Sequence, residues 1–175
     1  MSKQTHDMAA RSDQQGAARS MSLIVTKGTL DWAYPPFILA STAAAMDMKV
    51  TMFFTFYGLG LLEKDLDLSV TSLGNSAMRM PAMGGHIAMP NWIGMLPGMT
   101  GVTSRMMKRM IAKSGVSSVE DLREAARISG VRLIACQMTM DLLGYKTDTM
   151  IDGVEVAGAA TYLENAVDCD INLYI

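Results

Sequence analysis

Val131-Arg132-Leu133-Ile134-Ala135-Cys136, followed by Gln137-Met138-Thr139-Met140-Asp141-Leu142-Leu143 and closed by Gly144, decides the fold. The first six residues are an apolar, β-rich run of the length of a buried strand. The next seven suit a short helix, and a glycine is the usual residue just past a helix end. A strand that runs straight into a helix is the opening half of a βαβ unit, so this passage predicts a parallel sheet. It also places one sulfur where the strand ends and the first helical N–H groups point outward. Such donors, with the positive end of the helix dipole, favour a thiolate.

Working outward, the same alternation recurs. Ser22 to Thr26 reads as a first strand, ended by Lys27-Gly28. Asp31 to Met46 reads as a helix with Pro35 and Pro36 in its first turn, where a missing N–H costs little. Lys49 to Phe56 is nearly all apolar, as expected of a strand covered on both faces, and Gly58 and Gly60 follow it. Thr103 to Lys113 is predicted helical, with Met106, Met107, Met110 and Ile111 on one face and Arg105, Lys108, Arg109 and Lys113 on the other. Ser117 and Glu120 form a capping-box pattern for a helix whose inner stripe is Val119, Leu122 and Ala126. A short strand is expected near Thr149 to Ile151. A helix is expected from Ala157 to Val167 with Ala160, Leu163 and Val167 inward, and a final strand at Ile171 to Ile175. The predicted fold class is a three-layer α/β/α arrangement around a mainly parallel sheet of about five strands. Ligands of such sheets bind beyond the carboxyl ends of the strands, which gathers Lys27, Gly28, Tyr57, Gly58 and Cys136 at one edge.

The 175 residues suit one compact domain, and half of them are apolar. Met1 to Ser20 is polar and aperiodic and reads as a disordered tail. Residues 21–175 read as a single domain with a Met-rich loop and helix inserted between residues 75 and 113. A net charge of −2 excludes the basic excess of a nucleic-acid binder. Two cysteines, Cys136 and Cys169, do not make a disulfide framework, and with no apolar leader they point to the cytoplasm. Residues 80–104 carry no Asp, Glu, Lys or Arg, yet Pro81, Pro90, Pro97 and five glycines argue against a spanning helix. A loop or hairpin with an apolar face fits that stretch better. With 18 methionines and only 18% charged residues, against about 25% in an average domain, some apolar surface should remain for sister subunits or a membrane face.

The run Leu133 to Gly144 resembles the DsrE/DsrF/DrsH-like family, and most of all its larger, Met-rich branch of sulfur-oxidising bacteria often labelled peroxiredoxin-like. The opening strand 22–28, the strand ending Phe56-Tyr57-Gly58 and the segment Gly153 to Ala160 are similar too. The resemblance implies the α/β/α fold. It also implies a sulfur carrier or sulfurtransferase that holds sulfane sulfur as a persulfide on the cysteine matching Cys136. The partners it implies are TusA-like carriers and rhodanese-like proteins. Some relatives use a second cysteine in the central loop; this chain has none between residues 57 and 135, which leaves a single-cysteine mechanism.

Persulfide chemistry needs a thiolate as nucleophile and later as leaving group. Thr139 offers a local hydroxyl donor, and Lys27 and Tyr57 are supporting candidates at the same edge. The competing reading of Cys136 is a buried, inert cysteine that acts as a small apolar residue. Cys169 lies between Asp168 and Asp170, whose charge disfavours a thiolate, and reads as structural. We expect no resident cofactor or metal and no nucleic-acid partner. Two rivals stay open. Met78, Met80, Met83, His86 and Met89 form a soft-donor cluster of the kind Cu(I) favours, although methionines more simply fill an adaptable contact surface. A thiol peroxidase would need a resolving cysteine, which is not obvious. The basic methionine helix 103–113 could meet a sister subunit, an acidic partner or a membrane surface; subunit contact, and hence a homo-oligomer, is the favoured expectation.

Overall fold

The structure, a computed structural model, describes residues 19–71, 79–82, 85–88 and 98–175. Five strands form one sheet: β1 (Ser20–Val25), β2 (Lys49–Phe54), β5 (Arg132–Cys136), β6 (Val154–Ala157) and β7 (Ile171–Tyr174). Their order is β6-β5-β2-β1-β7, and every pairing is parallel. β3 (Arg79–Ala82) and β4 (Gly85–Ala88) make a separate antiparallel hairpin. That hairpin lies inside the stretch expected to be a loop or hairpin. Met78, Met83 and Met89 of the methionine–histidine cluster lie outside the described residues.

Strand parity sorts the core into two layers. Leu23, Val25, Met52, Phe54, Leu133 and Ala135 pack on one face against α1 (Leu30–Ala45) and α3 (Val119–Ile128). Phe53, Ile134, Cys136 and Tyr162 pack on the other, under α5 (Ala159–Ala166). The layering follows from crossover handedness: β1 to β2 and β2 to β5 move one way along the sheet, whereas β6 to β7 returns, so a right-handed connection places its helix on the opposite face. Fully buried Leu23, Met52 and Leu133 each contribute roughly 1.5–3 kcal/mol relative to exposure. α2 (Met99–Lys113) flanks the first helical layer, where Ser104 Oγ accepts from the Val70 N–H at 2.9 Å. Among the described residues no helix is long and apolar enough to cross a membrane.

Several local expectations shift. α1 begins at Leu30, so Pro35 and Pro36 lie inside the helix rather than in its first turn. The helix start is fixed upstream by tertiary bonds: Leu30 N–H donates to Ser69 O at 2.9 Å, and Asp31 Oδ1 accepts from Thr71 N–H at 3.1 Å. β2 stops at Phe54, and a 3-10 helix (Phe56–Leu62) follows it. The capping box is Ser118 with Asp121, one residue later than expected, because the shorter Asp carboxylate also reaches the N-cap N–H, at 3.2 Å. The strand expected near Thr149 to Ile151 is reduced to a 3-10 turn (Thr147–Thr149) and a single antiparallel bridge of Met150 to Glu63. There Met150 is buried and Ile151 N–H donates to Leu62 O, so their apolar character serves the 56–62 segment and not the sheet. In α5 the inward residue is Tyr162. Ala160, Leu163 and Val167 face solvent, because Tyr162 stacks on Phe53 at 4.9 Å and fixes the helix rotation.

Candidate functional site

Cys136 ends β5 and is the N-cap of α4 (Gln137–Leu143), in extended backbone conformation. A strand-to-helix junction with no intervening loop holds the sulfur at the carboxyl edge of the sheet. Four donors face it. They are the N–H groups of Met138 and Thr139 and the hydroxyls of Thr139 and Thr55. Thr139 is fully buried, and its Oγ1 lies 2.9 Å from Thr55 Oγ1. The two hydroxyls share one bond with each other, and toward an ionised sulfur each can turn its own hydrogen. The neutral thiol makes no capping hydrogen bond, as expected of a weak acceptor; the ionised sulfur is the species these donors suit.

Burial alone pushes the Cys136 thiol up, and it is the largest single influence. The Thr139 hydroxyl and N–H, the Thr55 hydroxyl and the Met138 N–H together outweigh it, and the thiol sits below its ordinary value. The sulfur is not open. Cys136 is 4% exposed and packs with Phe53, Ile134 and Tyr162. Next to it in the chain, α4 leaves its Met138, Leu142 and Leu143 side chains exposed. An inert apolar cysteine would share the packing but not the ring of donors.

Of the supporting candidates the structure brings only Thr139 to Cys136. Lys27 and Tyr57 follow β1 and β2 at the same edge, but they line a separate crevice that Cys136 does not border. The Lys27 ammonium lies 3.2 Å over the Trp32 ring centroid. Thr55 was missed by sequence reasoning, which extended β2 through it. The available signal was a lone hydroxyl residue between Phe54 and Phe56 at the end of an apolar strand. Phe56 itself has φ of +47°, a left-handed conformation that costs a non-glycine residue about 1–2 kcal/mol. This abrupt turn leaves Thr55 facing Thr139 and sends Tyr57 away toward the neighbouring crevice.

Cys169 lies at the other end of the molecule. Strand register places Cys136 level with Thr26 and Cys169 level with Arg19. Seven strand residues separate those levels, a rise of about 23 Å at ~3.3 Å per residue. A disulfide needs Cα atoms within about 7 Å, so these two thiols do not pair in the fold. Cys169 Sγ instead donates to Asn165 O at 3.3 Å.

The family described as DsrE/DsrF/DrsH-like matches residues 17–174. The chain is 51% identical over 161 residues to the sulfur carrier protein DsrE2 of Allochromatium vinosum, covering 90% of this chain and 98% of that protein. It is 34% identical over 159 residues to the uncharacterized protein YrkE of Bacillus subtilis, covering 88% and 95%. Among solved structures, the crystal structure of the ychN protein from E. coli aligns with a TM-score of 0.50 at 12% identity, over 90% of this chain and 99% of that one.

Proposed function

The chain belongs to the DsrE/DsrF/DrsH-like family, and from that membership we propose that it is a sulfur carrier that holds sulfane sulfur as a persulfide on Cys136. The observation that carries the reading is the set of four donors facing a lone thiol at the carboxyl edge of a parallel sheet. The match to a relative named as a sulfur carrier supports the same class of function.

In this reading the Cys136 thiolate attacks the outer sulfur of a donor persulfide or of thiosulfate. A new S–S bond forms, the donor's S–S bond breaks, and a thiolate or sulfite leaves. In the return step an acceptor thiolate attacks the terminal sulfur of the Cys136 persulfide, and Cys136 departs as thiolate. The donors that favour ionised sulfur serve both steps, since each begins or ends with Cys136 carrying the charge. The small exposure of the sulfur means that its surroundings must open when a partner docks. Thr139 and Thr55 hold the thiolate; Lys27 and Tyr57 stand apart from this chemistry.

The partners proposed with it are a TusA-like carrier and a rhodanese-like protein, in the cytoplasm. Exposed Leu163, Val167 and Tyr174 support a homo-oligomer. On α2, Arg105, Lys108, Arg109 and Lys113 are exposed and form no ion pair among the described residues, a surface that suits peripheral contact with an anionic membrane. A thiol peroxidase reading finds no support in this geometry, because the second thiol lies at the opposite edge of the sheet. The test is transfer: load the protein with polysulfide, desalt it, mix it with a TusA-like acceptor and follow sulfur by intact mass. Movement of sulfur to the acceptor from wild type but not from Cys136→Ser supports the proposal; an acceptor that stays unmodified rejects it.

A further inference from the structure

Beside the Cys136 site, the carboxyl ends of β1 and β2 open into a second crevice of about 510 Å³. This volume lies within the range of small-molecule sites, roughly 300–1,000 Å³. Its floor is two chain segments pressed together. A Cβ on Gly28 would lie 2.3 Å from Tyr57 O, and a Cβ on Gly58 would lie 2.3 Å from Val25 O. Such contacts lock the 26–28 and 55–58 turns against each other, so the crevice is preformed. Trp32, Tyr57, Tyr145 and Leu68 give it an apolar, aromatic wall.

The charges within it are the informative part. Lys27 and Asp67 both line the crevice, yet they form no ion pair with each other or with any described residue. A cation held by a ring face alone, 3.2 Å over Trp32, and a carboxylate with no ion-pair partner among the described residues, in one apolar-walled crevice, match a ligand that carries both signs. A simple anion would meet Asp67, and a simple cation would meet Lys27. We propose that this crevice binds a small amino-acid-like zwitterion with an apolar or aromatic body. Its carboxylate faces the Lys27 ammonium and its ammonium faces Asp67. The body lies against Tyr57 and Tyr145, beside the Lys27 ammonium on its Trp32 ring face. Cys136 takes no part, so the proposal stands apart from the sulfur-carrier reading.

The test is titration by NMR, following the Trp32 indole N–H, with L-phenylalanine, 3-phenylpropionate and phenethylamine as probes. L-phenylalanine should bind saturably, and each probe lacking one charge should bind about tenfold more weakly, the effect of one lost charge-assisted hydrogen bond. Lys27→Met and Asp67→Asn should weaken L-phenylalanine to a similar degree, and Cys136→Ser should leave it unchanged. Gly60→Val serves as a steric control. A Cβ there already meets Tyr145 Oη at 3.4 Å, so the added methyl groups should abolish binding while the folded spectrum persists. Equal binding of all three probes would reduce the site to a non-selective apolar cleft and overturn the proposal, as would the absence of saturable binding by L-phenylalanine.

Discussion

Replacing Thr139 by Val removes the buried hydroxyl nearest in effect to the Cys136 sulfur and keeps the side-chain shape. It also strips Thr55 Oγ1 of its 2.9 Å partner. A hydrogen bond to a charged group contributes about 1.5–3 kcal/mol, so at a pH well below the thiol's titration the thiolate fraction should fall roughly ten- to hundredfold. The thiolate that remains is more basic and more nucleophilic, with a Brønsted slope of about 0.4–0.5, which recovers near half of that loss on a logarithmic scale. The net expectation is alkylation by iodoacetamide about three- to tenfold slower than wild type at low pH. At high pH, where both thiols are fully ionised, the order should invert, and the variant should react faster. The crossing of the two pH–rate curves is the signature, since a general loss of access would lower the variant at every pH. Thr55→Val should show the same crossing with a smaller separation, because its hydroxyl ranks below Thr139 in effect. Parallel curves without a crossing, or no change, would refute the claim that these hydroxyls set the ionisation of Cys136.

Because the folded thiol titrates below the unfolded one, the unfolded chain binds more protons between the two values. Wild type should therefore gain stability relative to Cys136→Ser as pH rises toward the ordinary thiol value of about 8.5, and lose that gain as pH falls through the folded value; urea midpoints across pH measure it. Arg123 is buried, and its Nη1 donates to Leu61 O at 2.9 Å and to Glu63 O at 2.6 Å; Arg123→Met should cost about 2–4 kcal/mol in urea unfolding by orphaning both carbonyls. Gly28→Ala sets a Cβ against Tyr57 O and should destabilise by more than ~2 kcal/mol in the same assay. Ser118→Ala removes one half of the capping box and should cost about 1 kcal/mol.

The sheet was legible where one strand feeds one helix. The segment 131–144 is nearly self-contained: its strand is wholly apolar from Leu133, and Gly144 takes the left-handed conformation that ends the helix. Cys136 and Thr139 could be paired from sequence because they lie three residues apart across one helical turn. Thr55 could not, since its meeting with Thr139 spans 84 positions and depends on the left-handed turn at Phe56. The C-terminal elements misled for a related reason. Met150 and Ile151 look like strand residues, but their burial comes from the 56–62 segment. α5 buries an aromatic ring through Tyr162 instead of its aliphatic stripe, and Ser22 Oγ at 2.9 Å from Tyr162 Oη holds that choice from across the chain. Lys27 and Tyr57 were rightly placed at the carboxyl edge, yet strand position alone does not say which of two neighbouring recesses a side chain enters.

The reading as a whole turns on whether Cys136 takes up sulfane sulfur. Wild type, Cys136→Ser and Cys169→Ser, each incubated with polysulfide and read by intact mass, decide this most directly. The account predicts added sulfur on wild type and on Cys169→Ser, removable by a reducing thiol, and none on Cys136→Ser. Equal addition to all three proteins, or addition that vanishes only with Cys169, would contradict it.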